Sequence, residues 1–131
     1  NLNKGNVIIL SATIKPSEAR EISKAMKDSG VHLIDSPVSG GFPGAQNGTL
    51  TMMAAGEDKL LNQYKPVMEA VSKTIHRVGS NAGQGQIVKA CLQCLIGSIF
   101  SATFEADFFP HKKCGIPYFS DLRFQIPNGV S

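Results

Sequence analysis

Residues 83–93 read GQGQIVKACLQ, and the spacing inside this stretch decides how the chain is interpreted. Lys89 lies four residues after Gly85 and four residues before Gln93. Residues four apart lie on one face of a helix, so a glycine, an amine and an amide would share that face. Lys89 also lies in an apolar segment, where an unpaired ammonium is costly to bury, so it must be paired, reach water or release its proton. The stretch therefore predicts one wall of an active site.

The composition is that of a globular domain. The chain has 131 residues, of which 42% are hydrophobic, and its 13 Lys and Arg against 10 Asp and Glu are scattered without a dense run. This pattern does not favour nucleic acid as a partner. The most apolar window, residues 87–104, is broken by polar residues and a glycine, so it predicts a buried helix and no membrane span. With three cysteines and no signal-peptide pattern, we expect a cytoplasmic protein.

Cys91 and Cys94 form a CxxC motif, which raises the possibility of a redox pair or of half a metal site. Redox motifs of this kind begin a helix after a strand, whereas these cysteines lie inside an apolar helix. A zinc site would need further ligands, and only His111 and Cys114 are near in sequence. We interpret the two cysteines as small core side chains and predict no metal site.

The first half of the chain alternates strand and helix patterns. Residues 6–10, NVIIL, predict a strand, and Pro16 opens a segment with helical spacing that Gly30 closes. Residues 31–35, VHLID, predict a second strand. It leads into a loop over residues 36–48, whose glycines and prolines would let the backbone approach a ligand closely.

The second half continues the alternation. Residues 50–55 predict a third strand, and residues 60–71 follow a helical period that Pro66 is expected to split or kink. Residues 74–78 predict a fourth strand before a glycine turn and the long helix. After residue 105 we expect a broken helix or poor order. The order is strand, helix, strand, strand, helix, strand and long helix, which is an α/β pattern.

Three segments taken together are more specific than the pattern of strands and helices. They are SATIKP at residues 11–16, DSPVSGG at residues 35–41, and residues 83–93. In this order the set resembles the β-hydroxyacid dehydrogenases related to 3-hydroxyisobutyrate dehydrogenase and 6-phosphogluconate dehydrogenase. The extra residue in SAT, the run LTMMAAG at residues 50–56 and Gln93 are most similar to the L-threonate dehydrogenase branch. The resemblance covers residues 6 to about 106.

The resemblance implies a fold. Residues 1–82 would form the second half of a Rossmann-type NAD(P)-binding domain, with the order β-α-β-β-α-β, and residues 83–131 a long inter-domain helix and the start of an all-helical domain. Members of the family begin with a strand and a GxGxMG turn that binds the cofactor pyrophosphate, and no such strand-turn-helix unit occurs in this sequence. We therefore expect an internal piece of a longer protein, inactive alone and homo-oligomeric when full-length.

The resemblance also implies the catalytic and substrate-binding residues. Lys89 matches the family's catalytic lysine, which exchanges a proton with the substrate hydroxyl during hydride transfer. Ser39, Gly40 and Gly41 match the loop that holds the carboxylate of a small 3-hydroxy acid such as 3-hydroxyisobutyrate or L-threonate. Each also has a purely structural explanation, namely a lysine that reaches water from a core helix and a tight turn that ends a strand.

The expected cofactor is NAD or NADP. Thr13 matches the position that meets the nicotinamide ribose, and Gly83 and Gly85 match the turn where bulk would keep the nicotinamide ring from the lysine. Gln93 matches an amide that binds substrate hydroxyls. Leu92 departs from the pattern, since the family has Asn, or His in the threonate-like branch, at this position; losing a polar contact there would alter substrate choice.

A second interpretation assigns no chemistry to the chain. The order strand, helix, strand, strand, helix, strand is also that of a ferredoxin-like binding or assembly module. In that case the helix that carries Lys89 would serve only packing.

Overall fold

The computed structural model describes the backbone of residues 2–114 and the side chains of residues 2–107. Within this range the elements alternate between strands and helices, which confirms the predicted α/β class. They are β1 (Val7–Leu10), α1 (Pro16–Asp28), β2 (His32–Asp35), β3 (Val38–Ser39), α2 (Gly41–Gln46), β4 (Leu50–Ala55), α3 (Asp58–Gln63), α4 (Lys65–Glu69), β5 (Ser72–Gly79) and α5 (Gln84–Cys114).

The strands form one mixed sheet. β1 and β2 are parallel neighbours, paired from Val7 with His32 to Leu10 with Asp35. β4 joins β2 in the antiparallel sense, pairs antiparallel with β3 and pairs parallel with β5. The ferredoxin-like interpretation is wrong, because that fold is a split βαβ in which another strand separates the two that α1 connects. Here β1 and β2 are direct neighbours.

Local sequence explains the first helix. Pro16 occupies its first turn, where a missing N–H costs nothing. The side chain of Glu18 accepts the N–H of Lys15 at 3.1 Å and so closes the helix start. Gly30 follows the helix with a φ of 71°, a conformation that favours glycine, and turns the chain into β2.

A small apolar core holds the sheet to the helices that follow β4. Its fully or nearly fully buried members are Ile34, Met52, Ala54, Leu60, Leu61 and Met68. Side chains from β1, β3 and β5 pack on this cluster from the sheet. The core therefore fixes β2 and β4 side by side, and their last residues, Asp35 and Ala55, form the one pair between them.

Three expectations about elements can now be compared with the structure. Pro66 was expected to split a helix, and it does, because α3 ends at Gln63 and α4 begins at Lys65. The expected loop of residues 36–48 was wrong, since it contains β3, which pairs with β4, and α2. The expected broken helix or poor order after residue 105 was also wrong as far as residue 114, since α5 continues to Cys114. Residues 115–131 lie outside the described residues.

The chain divides into two compact units, the first ending at Leu92 and the second starting at Gln93. The start of α5, with Lys89, therefore belongs to the same unit as the sheet, beyond the predicted boundary after residue 82. The expected burial of the helix over residues 87–104 was wrong for most of its length, since Ile99 and Phe104 are exposed. Cys91 and Cys94, which were expected as small core side chains, are exposed as well. An 18-residue window of Gln84–Asp107 has a mean hydropathy of 1.6, long and apolar enough to span a membrane by length and composition alone.

The start of α5 lies against the backbone of the sheet. A Cβ added at Gly85 would lie 2.5 Å from the Met53 carbonyl oxygen, 2.9 Å from Pro37 Cδ and 3.0 Å from the Asp35 carbonyl oxygen. Real Cβ atoms do not approach backbone oxygen this closely, so only glycine allows this contact. Gly85 therefore sets how near the helix comes to the ends of β2 and β4.

We predict that Gly85→Ala lowers the free energy of unfolding by about 1–3 kcal/mol, because the methyl group forces helix and sheet apart. Gly97→Ala, in the same helix, is the matched control, since no neighbouring atom of the described residues lies within 4 Å of the methyl group that it would add. It is expected to be neutral or to stabilise by up to about 1 kcal/mol, because alanine favours helix. Urea unfolding followed by circular dichroism measures both, and equal losses would contradict the packing argument.

Candidate active site

A buried carboxylate joins the end of β2 to the start of α5. The side chain of Asp35 is fully buried. Its Oδ2 accepts the backbone N–H of Gly83 at 2.8 Å and that of Gln86 at 3.3 Å. These donors lie at the N-terminus of α5, where backbone N–H groups lack partners within the helix and the helix dipole favours negative charge. Asp35 therefore caps α5 from the neighbouring strand.

The side chain of Gln86 extends this contact to the segment after β1. Gln86 is 1% exposed. Its Nε2 donates to Asp35 Oδ1 at 2.9 Å and to the carbonyl oxygen of Ala12 at 3.0 Å. Its Oε1 accepts the backbone N–H of Ile14 at 3.0 Å. We call these hydrogen bonds of Asp35 and Gln86, with Ala12, Ile14 and Gly83, the Asp35–Gln86 clasp.

Thr13 lies between the two backbone groups that the clasp binds. It follows the carboxyl end of β1 and is exposed. In open α/β sheets the carboxyl ends of parallel strands are where ligands bind. The clasp therefore fixes the backbone on both sides of Thr13 while its side chain stays accessible.

Gly83 has a φ of 92°, which favours glycine. A Cβ there would also lie 2.8 Å from the Pro16 carbonyl oxygen and 3.0 Å from a guanidinium nitrogen of Arg20. The structure thus supplies a packing reason for glycine at positions 83 and 85. Their expected role beside the cofactor stays a prediction.

The predicted carboxylate loop begins in the sheet. Ser39 pairs with Thr51 in β4 and is half-buried. Gly40 and Gly41 are exposed, with φ values of 132° and 58°. A Cβ at Gly40 would lie 3.1 Å from Leu50 Cδ2, whereas at Gly41 the nearest atom is 3.8 Å away. Two successive glycines in this conformation leave an accessible backbone at the end of a fixed strand.

Lys89 lies one turn after Gly85 in α5, on the helix face that meets the sheet. Its side chain is 8% exposed. Within the described residues its Nζ has no hydrogen-bond or ion-pair partner, and Ser36 Oγ is the one fully buried side-chain polar atom without a partner. The amine of Lys89 therefore keeps contact with solvent. This matches the sequence-based requirement that an unpaired lysine in an apolar segment reach water.

The structure brings most of the predicted residues into one unit. Gly85, on the lysine face of α5, packs against Pro37, and Pro37 leads directly into β3 and Ser39. Gln93, by contrast, is an exposed residue at the start of the second unit. Its role as a substrate contact stays a prediction. Leu92, the departure from the family pattern, is half-buried.

Sequence reasoning missed Asp35 and Gln86 as individual residues, although both lie inside the motifs that carried the resemblance. One signal was available, since Asp35 ends a buried strand, where a charge must find donors. Among the described residues no group of three or more potential metal-ligating side chains occurs. The groups available in this unit are the amine of Lys89, the backbone of the Thr13 segment and of the loop at residues 39–41, and the buried carboxylate of Asp35.

Comparison with known proteins identifies the family to which this fold and sequence correspond. Residues 1–79 match the family model of the NAD binding domain of 6-phosphogluconate dehydrogenase. The chain belongs to this family. The predicted membership of the β-hydroxyacid dehydrogenases and the predicted Rossmann-type NAD(P)-binding fold are thereby confirmed. The chain is 40% identical over 117 residues to the L-threonate dehydrogenase of Escherichia coli O6:H1, which covers 89% of this chain and 38% of that protein.

Solved structures of related dehydrogenases have a similar fold over the part of this chain that they match. The 3-hydroxyisobutyrate dehydrogenase of Salmonella typhimurium matches with a TM-score of 0.78 and 32% identity over 85% of this chain and 39% of that one. A Mycobacterium tuberculosis 3-hydroxyisobutyrate dehydrogenase, determined with L-serine, matches with a TM-score of 0.78 and 33% identity over 84% of this chain and 38% of that one. The chain thus spans well under half the length of these β-hydroxyacid dehydrogenases.

We predict that Asp35→Ala lowers the free energy of unfolding by about 3 kcal/mol or more, because buried N–H groups of Gly83 and Gln86 lose a charged acceptor. Asp28→Ala removes an exposed carboxylate at the end of α1. As a control it should change stability by no more than about 0.5 kcal/mol. Thermal unfolding of the two variants compares them, and similar midpoints would show that the buried carboxylate is dispensable.

Proposed function

We propose that this chain forms part of an NAD(P)-dependent oxidoreductase that acts on a small hydroxy acid, with Lys89 as the proton-transfer group. The observation that carries the proposal is the convergence of three segments at the start of α5. Asp35 and Gly85 hold the start of the helix that carries Lys89 against the end of β2 and against Pro37, which precedes the carboxylate loop. Gln86 holds the Thr13 segment to the same turn.

The residues present fit the nicotinamide end of the cofactor. Thr13 is an exposed residue just after the carboxyl end of β1, and the backbone on both sides of it is hydrogen-bonded to Gln86. When bound, nicotinamide supplies a centre that accepts or donates a hydride. The positions that would hold it are Thr13, Gly83 and Gly85. The choice between NAD and NADP remains part of the proposal.

The carboxylate of the substrate is assigned to Ser39, Gly40 and Gly41. Without side chains at two positions, backbone N–H groups can come close to an anion, and the Ser39 hydroxyl adds a donor. β3 fixes the start of this loop in the sheet, so the donors are held before the substrate arrives. A pre-positioned carboxylate would present the rest of a short molecule to α5.

Lys89 would then meet the substrate hydroxyl. On oxidation its neutral amine takes the hydroxyl proton as the carbon loses a hydride, and on reduction the ammonium returns a proton to the new oxyanion. Its solvent contact provides the route by which that proton is exchanged with water. The lack of a protein partner for Nζ in the described residues leaves the amine free to bind this group.

The substrate class follows from the carboxylate and the hydroxyl. L-threonate, 3-hydroxyisobutyrate and L-serine, the compounds named with the relatives above, each carry a carboxylate and a hydroxyl on the third carbon. The side chain of Leu92 cannot hydrogen-bond to additional hydroxyls of a substrate, whereas the side-chain amide of Gln93 can both donate and accept a hydrogen bond. We therefore propose a small 3-hydroxy carboxylic acid as the substrate. We also propose that the full-length protein is cytoplasmic and forms a homo-oligomer.

The 131-residue chain alone is expected to show no turnover of L-threonate, 3-hydroxyisobutyrate or L-serine with either cofactor. The reason is that no strand, glycine-rich turn and helix for the pyrophosphate occurs in its sequence. Absorbance at the reduced nicotinamide band measures this directly. Substrate-dependent reduction of cofactor above a protein-free blank would refute the expectation.

The role of Lys89 can be tested in a chimera in which the matched 117-residue segment of the Escherichia coli L-threonate dehydrogenase is replaced by the corresponding 117 residues of this chain. In that chimera Lys89→Met is expected to lower kcat by about 10²–10⁴-fold while KM changes much less, since the proton-transfer group is lost but the carboxylate loop is intact.

Lys24→Met, an exposed lysine on α1, is the matched control and should leave kcat unchanged. A chimera whose kcat is the same with Lys89→Met and with Lys24→Met would remove Lys89 from the mechanism.

A further inference from the structure

We propose that Asp35 and Gln86 are positioning residues that act through Thr13. Together they set the place of the nicotinamide end of the cofactor relative to the helix of Lys89. This inference rests on the proposed function, and its structural part can be tested separately. The clasp is the feature that connects the three segments, since its hydrogen bonds join residues 48 to 74 positions apart in sequence.

The segment between β1 and α1 depends on Gln86. Residues 11–14 belong to neither helix nor strand. Among the described residues, the hydrogen bonds that tie this segment to the rest of the chain are those from Gln86 to Ala12 and from Ile14 to Gln86. By contrast, β1 is held to β2 along its length and α1 by its own backbone bonds. Loss of the clasp should therefore release the Thr13 segment before it releases the sheet.

The arrangement of hydrogen-bond donors and acceptors in the clasp limits which side chains can form it. Both donors of the Gln86 amide are used, one on Ala12 and one on Asp35, and its oxygen accepts from Ile14. A glutamate at this position would turn two donors into acceptors that face a carbonyl oxygen and a carboxylate. An asparagine at position 35 would restore a donor to the contact between residues 35 and 86, so the second change should compensate the first in part, while the repulsion from the Ala12 carbonyl oxygen remains.

Amide hydrogen exchange by NMR on the 131-residue chain tests the structural part. Gln86→Glu keeps an acceptor for the Ile14 N–H but sets its second oxygen against the Ala12 carbonyl oxygen and the Asp35 carboxylate. This repulsion is expected to displace the side chain and so lower the protection of the Ile14 amide by about tenfold or more. The amides of His32 and Met53, which donate to Asn6 and Pro37 within the sheet, should keep their protection. Asp35→Asn combined with Gln86→Glu should return part of the Ile14 protection, because one of the two repulsive contacts is relieved.

Gln84→Glu is the matched control. It makes the same chemical change on the same turn of α5, and within the part of the chain that the structure describes Gln84 uses its oxygen alone, which accepts the N–H of Asn81 at 2.8 Å. A carboxylate keeps that bond, so the Ile14 amide should not respond. Equal loss of protection at Ile14, His32 and Met53 in Gln86→Glu would overturn the proposal, because the clasp would then hold the whole fold. Failure of the double variant to recover would overturn it as well.

Reduced nicotinamide mononucleotide, titrated at millimolar concentration, tests the link to function. In the wild-type chain it should shift the amide signals of Thr13 and Gly83. These shifts should be lost in Gln86→Glu and return in the double variant, a response that a purely structural role would not produce. Unchanged shifts in Gln86→Glu would overturn the positioning role. No shift in the wild type, with the exchange results as expected, would refute the proposed function and leave the clasp as a structural coupling alone.

Discussion

The carboxylate of Asp35 is the constraint on which the rest of the site depends. It is fully buried, and within the described residues it is stabilised by N–H donors and not by a cation. Burying a charge is costly unless donors are already in place, and a helix N-terminus supplies both free N–H groups and a favourable dipole. The energetic requirement of one side chain therefore fixes α5 at the end of β2.

The glycines of the long helix follow from the same requirement. The N–H groups of Gly83 and Gln86 can reach Asp35 only if the first turn of α5 lies close to the strand ends. At that distance position 85 has no room for a methyl group, and position 83 needs a positive φ. Lys89, one turn later on the same face, is then placed by backbone contacts and not by its own side chain. An amine that has no partner among the described residues is positioned in this way by the helix that carries it.

Sequence alone could predict those features that have a local signal. Strand and helix periods predicted β1, α1, β2, β4, β5 and α5, and Pro66 divided a helix as expected. The short elements β3 and α2 were missed because their formation depends on pairing with β4 and on two glycines of positive φ, neither of which has a period. The clasp joins residues far apart in sequence, so Gln86 could not be distinguished from a surface glutamine until the fold brought Ala12, Ile14 and Asp35 around it.

The two proposed binding regions rest on different supports, and this separation bears on specificity. The carboxylate loop is held by the pairing of β3 with β4 and by the close approach of Gly40 to Leu50, whereas the Thr13 segment is held by Gln86. Relatives named for L-threonate and for 3-hydroxyisobutyrate match over nearly the same part of this chain. A framework shared by enzymes with different named substrates cannot itself choose among them. Under the proposed function, we expect discrimination to come from positions that the framework leaves free, such as Leu92 and Gln93, or from the part of those proteins that this chain does not match. Such positions can change without disturbing the buried carboxylate.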